Sequence, residues 1–155
     1  MMRGQAPQSA RVMLRDMLYL ASKSPRRREL LGRLLSGRPG AEFGLLDIDI
    51  PEHPQPGEPA EDYVRRVARE KAGPGLLHVV GNPTGVVLGS DTEVVLDGEV
   101  FGKPADDADA AQMLRRLSGR THQVISAVSL VSSSRERQLV SLSEVTFAEL
   151  TPAQI

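Results

Sequence analysis

YLASKSPRRRE, residues 19–29, is the stretch from which the rest of the chain is best read. Its apolar start has the character of a strand end, and Ser24 then suits the N-cap of a helix. Pro25 suits the first helical position, where the missing N–H leaves no bond unmade. Three consecutive arginines, Arg26, Arg27 and Arg28, open that helix. Unpaired amides at a helix N-terminus attract anions, so these amides and the guanidinium groups together predict a site for a polyanion, most simply a phosphate chain.

Outward from this junction, Leu18–Ala21 reads as a strand and Pro25–Leu35 as a helix. Leu30, Leu31, Leu34 and Leu35 are expected to form its apolar stripe, with the arginines facing elsewhere. A second strand is predicted over Phe43–Ile50 and a second helix over Pro59–Ala72, ended by Gly73-Pro74. In that helix Tyr63, Val64, Val67 and Ala68 share one side, and Arg65, Arg66, Arg69 and Glu70 the other. Val86–Gly89 and Val94–Leu96 read as buried strand, and Asp97-Gly98 as a tight hairpin turn into Glu99–Phe101. Ala110, Met113, Leu114 and Leu117 mark a third helix, with acids in its first turn, Arg115 and Arg116 in its last, and Gly119 as its stop. Two longer strands, about Gln123–Val131 and Gln138–Leu150, follow around the polar loop Ser132–Arg137. Strands alternating with helices, then a meander, predict an α/β fold with a mixed sheet. There is no internal repeat.

The 155 residues predict a single domain, and 40% hydrophobic with 25% charged residues is an ordinary globular composition. A net charge of −1 provides no global attraction to nucleic acid or to an anionic membrane, so any anion site must be local. The absence of cysteine excludes disulfides and thiolate metal sites and makes a reducing cytoplasm the expected compartment. No apolar run approaches the roughly 20 residues that span a bilayer. Residues 1–16 lack periodicity and read as a disordered N-terminal extension, with the folded unit, 17–155, starting near Met17. At the other end, Thr151-Pro152-Ala153-Gln154 has the pattern of a capping box, one turn before Ile155. A helix that short does not support itself, so the domain is expected to continue and this chain to lack a C-terminal segment.

Three further residues carry chemistry. Asp91, in Gly-Ser-Asp-Thr, follows an apolar strand, and the carboxyl ends of strands are the usual ligand edge of an open α/β sheet. It could hold Mg²⁺ or act as a general base; read alone, it is equally a turn-forming aspartate. Lys103, in Gly-Lys-Pro, offers a point charge to phosphate. Glu52, after Ile50-Pro51, is a second candidate metal ligand. Cleavage of a phosphoanhydride by water needs cations on the phosphate oxygens, a metal held by carboxylates and a base to ready the nucleophile. Arg26, Arg27 and Lys103 suit the first requirement, Glu52 and Asp91 the second, and Asp91 the third. No GxxxxGK[ST] or GxGxxG is present, so kinase-type and dinucleotide cradling are not indicated. His53, His78 and His122 are widely spaced and read as surface or turn residues rather than ligands.

Four blocks in order resemble the Maf family of nucleoside triphosphate pyrophosphatases. They are Leu-Ala-Ser-x-Ser-Pro-Arg-Arg-x-Glu-Leu-Leu at Leu20–Leu31, the block Gly57–Ala72, the block Gly89–Pro104, and MLRRLSGRTH at Met113–His122. The resemblance runs from about Met17 to the end. It implies a mixed sheet with flanking helices and a cleft, here with the second lobe incomplete, and hydrolysis of a nucleoside triphosphate to monophosphate and pyrophosphate with Mg²⁺ or Mn²⁺. The family's proton acceptor falls on Asp91 and its substrate-binding residues on Ser22, Arg26, Arg27, Lys71, Thr92 and Lys103, while its acidic residue after the second strand aligns best with Glu52.

Arg26 and Thr92 match the branch acting on dTTP and UTP; the 7-methyl-GTP branch has Trp and Gln there and is the alternative. A truncated, non-catalytic nucleotide-binding remnant is a further reading, and homodimerisation is implied for a full-length chain. Glu93 stands where an apolar residue is usual, and the Ser36–Ala41 loop is longer than usual. Nucleic-acid binding through Arg26–Arg28, Arg65–Arg66 and Arg115–Arg116 is disfavoured: these clusters lie on three helices, and 3% aromatic content leaves few stacking platforms.

Overall fold

Leu18–Ala21 forms strand β1 and Pro25–Leu35 helix α1, joined through Ser24, whose hydroxyl accepts a hydrogen bond from the Arg27 amide. A computed structural model describes residues 18–38 and 42–155 of the chain. The extension expected over residues 1–16 lies outside the described residues. The remaining elements are β2 (Gly44–Leu46), α2 (Ala60–His78), β3 (Val86–Leu96), β4 (Glu99–Val100), α3 (Asp107–Leu117), β5 (Thr121–Val131) and β6 (Glu136–Thr146). The strands make one sheet of order β2-β1-β3-β5-β6, with β4 attached to β3. β1 is parallel to both β2 and β3, whereas β4 is antiparallel to β3. The mixed α/β sheet is therefore the one that the alternation predicts.

The described residues divide into two compact units, one of those within Met1–Ile50, Arg69–Ser90 and Ser129–Arg137, the other of Pro51–Ala68, Asp91–Val128 and Gln138–Ile155. In the first, Ala21, Ala72, Val79 and Val87 form a buried cluster against Tyr19, Leu46, Ile48, Leu76 and Val131. In the second, the buried apolar residues include Tyr63, Val64, Val67, Ala68, Val95, Leu96, Leu117, Ile125 and Ala127.

Several elements differ from the expectation. β2 stops at Leu46 rather than Ile50, because its ladder partner β1 ends at Ala21, which pairs with Leu46. Beyond that point Asp47 and Asp49 take an ion pair to Lys23 instead, at 3.1 and 3.5 Å. Helix α1 has the predicted bounds but not the predicted stripe. Leu31 is buried, while Leu30 and Leu34 are 56% and 68% exposed. The inward row is Arg27, Leu31 and Leu35, four residues apart, so Arg27 shares it while Arg26 and Arg28 point out.

Helix α2 runs six residues past Ala72, through Gly73-Pro74 to His78. An internal proline costs a helix about 3 kcal/mol, and burial downstream offsets it: Leu76 and Val79 pack into the first unit's core. Gly75 permits this, since a Cβ there would lie 2.6 Å from Val87 Cγ1 and 3.2 Å from Leu46 Cδ1. β3 is continuous where the sequence suggests two separate strands and a Gly-Ser-Asp-Thr turn, because it is an inner strand hydrogen-bonded to neighbours on both sides. The Asp97-Gly98 turn, pairing Leu96 with Glu99, and helix α3, capped by Asp106, form as predicted. β5 starts two residues early, at Thr121, so His122 is not a surface residue. It is buried on that strand, edge-on to the Phe147 ring at 5.0 Å. β6 ends at Thr146, where Phe147 turns to bond the Arg120 carbonyl. The Thr151 capping box forms: the Thr151 amide donates to Gln154 Oε1, and the Gln154 amide to Thr151 Oγ1.

Candidate active site

Within the second unit, the chain brings together three carboxylates: Glu52, Asp91 and Glu93. One oxygen of each lies within 4.8 Å of the others. Asp91 and Glu93 are 2% and 7% exposed; Glu52 is half-buried. Successive side chains of a strand leave opposite faces, so two carboxylates separated by one residue in β3 project side by side. Glu52 reaches them from the irregular segment between β2 and α2.

Three ionised carboxylates this close repel one another by roughly 3 kcal/mol per pair at an effective dielectric constant near 20. All three donors are hard oxygens, the type that Mg²⁺ and Mn²⁺ prefer. The set thus fits a divalent cation by donor chemistry, number and spacing. Tyr63 of α2 stands beside it. Burial above all, then the charges of Glu93, Asp91 and Glu52, raise its phenol above the ordinary tyrosine range, while Arg66 acts in the opposite direction. Its O–H therefore keeps its proton at neutral pH.

The other predicted site residues fall elsewhere. Ser22 accepts a hydrogen bond from the Ser24 amide at 3.1 Å, which shapes the β1–α1 turn. Arg26 is exposed and Arg27 half-buried in the first turn of α1, and the half-buried Lys71 lies on α2. These four belong to the first unit. Lys103 is exposed in the segment between β4 and α3. Thr92 is exposed, bonds the Ser126 hydroxyl at 2.9 Å, and by strand alternation leaves β3 on the face opposite Asp91. The structure thus joins Glu52 to Asp91, and it adds Glu93, which in the sequence stands out only as an acid where an apolar residue is usual. A signal for it exists: Asp91 and Glu93 alternate at period two, which becomes informative once the segment is taken as strand instead of turn.

The family profile of Maf-like proteins matches residues 17–155, nearly the whole chain. The chain belongs to the Maf-like family. Similar relatives include the dTTP/UTP pyrophosphatase of Xanthomonas euvesicatoria pv. vesicatoria (strain 85-10), 55% identical over 141 residues, or 90% of this chain and 72% of the relative. The nucleoside triphosphate pyrophosphatase of Xylella fastidiosa (strain M23) is 54% identical over 140 residues, 90% of this chain and 71% of that protein. In this Maf-like protein, the acidic cluster therefore lies within a sequence whose relatives bear the names of enzymes that cleave nucleoside triphosphates.

Among the described residues, no helix is long and apolar enough to cross a membrane. Arginines of the clusters weighed for nucleic acid are engaged with carboxylates: Arg65 with Glu61, Arg66 with Glu58, and Arg116 with Glu99.

Proposed function

We propose that this Maf-like protein is a cytoplasmic nucleoside triphosphate pyrophosphatase that converts dTTP or UTP to the monophosphate and pyrophosphate. The observation that carries this reading is the convergence of the half-buried Glu52 on the buried Asp91 and Glu93, in a chain more than half identical to proteins so named. The cationic turn Ser22–Arg27, with Lys71 and Lys103, is assigned to the phosphate oxygens, and Thr92 to substrate selection.

Glu52, Asp91 and Glu93 would hold Mg²⁺ or Mn²⁺, which when bound neutralises phosphate charge and acidifies water. The protein's own steps are these. Arg26, Arg27 and Lys103 bind the tripolyphosphate and stabilise the charge that develops as the anhydride breaks. Water attacks the α-phosphorus, the bond from that phosphorus to the bridging oxygen breaks, and its electron pair departs with pyrophosphate. Asp91 accepts the proton that the water gives up. Burial limits the solvent around Asp91 and so favours a fixed orientation for that transfer. Homodimerisation belongs to the same proposal, and nucleic acid and membrane are not proposed as partners.

The test is release of pyrophosphate from dTTP and UTP with Mg²⁺ or Mn²⁺, with 7-methyl-GTP as the comparison substrate. Turnover of the pyrimidine nucleotides, lost in Asp91→Asn, is the expected result. Preferential turnover of 7-methyl-GTP would move the protein to the other branch. Tight binding of a non-hydrolysable analogue without any turnover would make it a nucleotide-binding remnant.

A further inference from the structure

Glu52 poses a problem that its two companions do not. It lies in the segment 51–59, which forms neither helix nor strand, and Pro51, Pro54, Pro56 and Pro59 make up four of the nine residues. Proline has no N–H to give a ladder, so regular backbone pairing is not what fixes this carboxylate. The segment that carries it is instead bonded to a side chain of α2.

The Arg66 guanidinium donates through Nε to Glu58 Oε1 at 2.7 Å and through Nη2 to Glu58 Oε2 at 3.0 Å. The same Nη2 donates at 3.0 Å to the carbonyl of His53, the residue directly after Glu52. Glu58 Oε2 also accepts the Gln55 amide at 2.9 Å, and the Glu58 amide donates to the Gln55 carbonyl at 3.0 Å. One guanidinium therefore ties residues 53 and 58 to a single point on α2, and Glu58 holds Gln55 with them. The fork of arginine matches a carboxylate in two parallel bonds, a geometry that lysine cannot reproduce. The pair is also sheltered, with the Glu58 side chain 11% exposed and that of Arg66 23%. The Arg66 guanidinium carbon lies 5.4 Å from the centroid of the Tyr63 ring, and Tyr63 senses all three carboxylates. The clamp and the acidic cluster thus meet the same stretch of helix.

We infer that Arg66, locked by Glu58, is a positioning residue that sets Glu52 against Asp91 and Glu93, so that cation affinity depends on an ion pair that does not itself ligate the cation. This rests on the cation-binding reading of the cluster proposed above. Groups that orient metal ligands typically change affinity 10- to 100-fold when removed, although they never touch the metal.

The experiment is titration of the full chain with Mn²⁺ alone, followed by electron paramagnetic resonance, for the wild type and Asp91→Asn, Arg66→Gln, Arg66→Lys, Glu58→Gln and Arg66→Gln/Glu58→Gln. Hydrogen exchange of the Gln55 amide in the metal-free proteins supplies a readout independent of the cation. Arg66→Gln and Glu58→Gln should each raise the Kd for Mn²⁺ at least about tenfold. The double variant should be no worse than either single change, since both open one clamp. Arg66→Lys keeps the charge and loses the fork, so it should also bind weakly. Gln55 should exchange faster in all four clamp variants, while kcat at saturating Mn²⁺ stays within about twofold of wild type, because the ligands are intact.

Clamp variants that bind Mn²⁺ like wild type, alongside an Asp91→Asn that does not, would overturn the inference and leave the cluster's role standing. Additive losses in the double variant would overturn it too. If wild type and Asp91→Asn both fail to bind, the cation reading falls and the inference with it. Should Arg66→Gln not fold, Glu58→Gln, which leaves α2 unaltered, decides the matter.

Discussion

The acidic cluster draws its members from two kinds of backbone. Asp91 and Glu93 stand on β3, an inner strand whose neighbours on both sides share its hydrogen bonds, so their spacing follows from the pleat. Glu52 stands in a proline-rich segment whose position is held by the guanidinium of Arg66, by Glu58 and by a turn at Gln55. Backbone ladders are many-bonded and cooperative. A side-chain clamp is one element that a single substitution or a proton removes. The comparison teaches that one cluster of carboxylates can have a rigid half and a half that is conditional on charge.

The largest expected effect lies on the rigid half. Asp91→Asn should lower pyrophosphate release by about 10³-fold, within the usual range for loss of a general base, while circular dichroism stays unchanged because the substitution is isosteric. Wild-type turnover in that variant would remove Asp91 from the mechanism. Next in size, Glu93→Gln and Glu52→Gln should each weaken Mn²⁺ binding, by about 10- to 100-fold. If only Glu52→Gln did so, β3 would be scaffold rather than half of the site.

The conditional half is addressed by pH. The hydrogen bond from Arg66, then that from the Gln55 amide, lower the Glu58 carboxyl from 4.5 to about 2. A folded-state value below the unfolded one contributes stability that is present in full above the unfolded pKa and is lost as pH falls through the folded one. The stability difference between wild type and Glu58→Gln should therefore favour wild type above about pH 4.5 and shrink as pH falls toward 2, as read from urea unfolding. A difference that did not vary across that window would show that the clamp is not held by charge. The smallest effect belongs to Gly57, at φ +73°, where an added Cβ would meet no atom within 4 Å. Gly57→Ala should cost about 1 kcal/mol from the left-handed backbone alone, with Mn²⁺ affinity unchanged. A larger loss would mean that the turn at 56–57 takes part in holding Glu52.

Much of the fold was legible locally. Ser24-Pro25 placed the start of α1, and Asp97-Gly98 placed the β3–β4 turn. The apolar spacing of Ala110, Met113, Leu114 and Leu117 placed α3, as each signal acts within a few residues. Glu52 and Asp91 were legible as a pair of carboxylates suited to one metal, whereas Glu93 and the mid-strand setting of Asp91 were not. Elsewhere local signals were overruled. Gly73-Pro74 has the look of a helix stop, yet α2 continues because Leu76 and Val79 gain a buried cluster. Leu30 and Leu34 look like core and lie in solvent, since the inward row of α1 is set by what packs on it.

The order of elements, the capped helix starts, the cationic turn and the identities of the acids were decided by the chain itself, through torsional preference, hydrogen-bond capacity and charge. Tertiary structure alone decided where β2 ends, how far α2 runs past its proline, that Glu93 joins Asp91, and that Arg66 holds the segment bearing Glu52. Those outcomes depend on partners far away in sequence, and the energy of burial or of an ion pair between distant residues is not written in either residue's immediate neighbours.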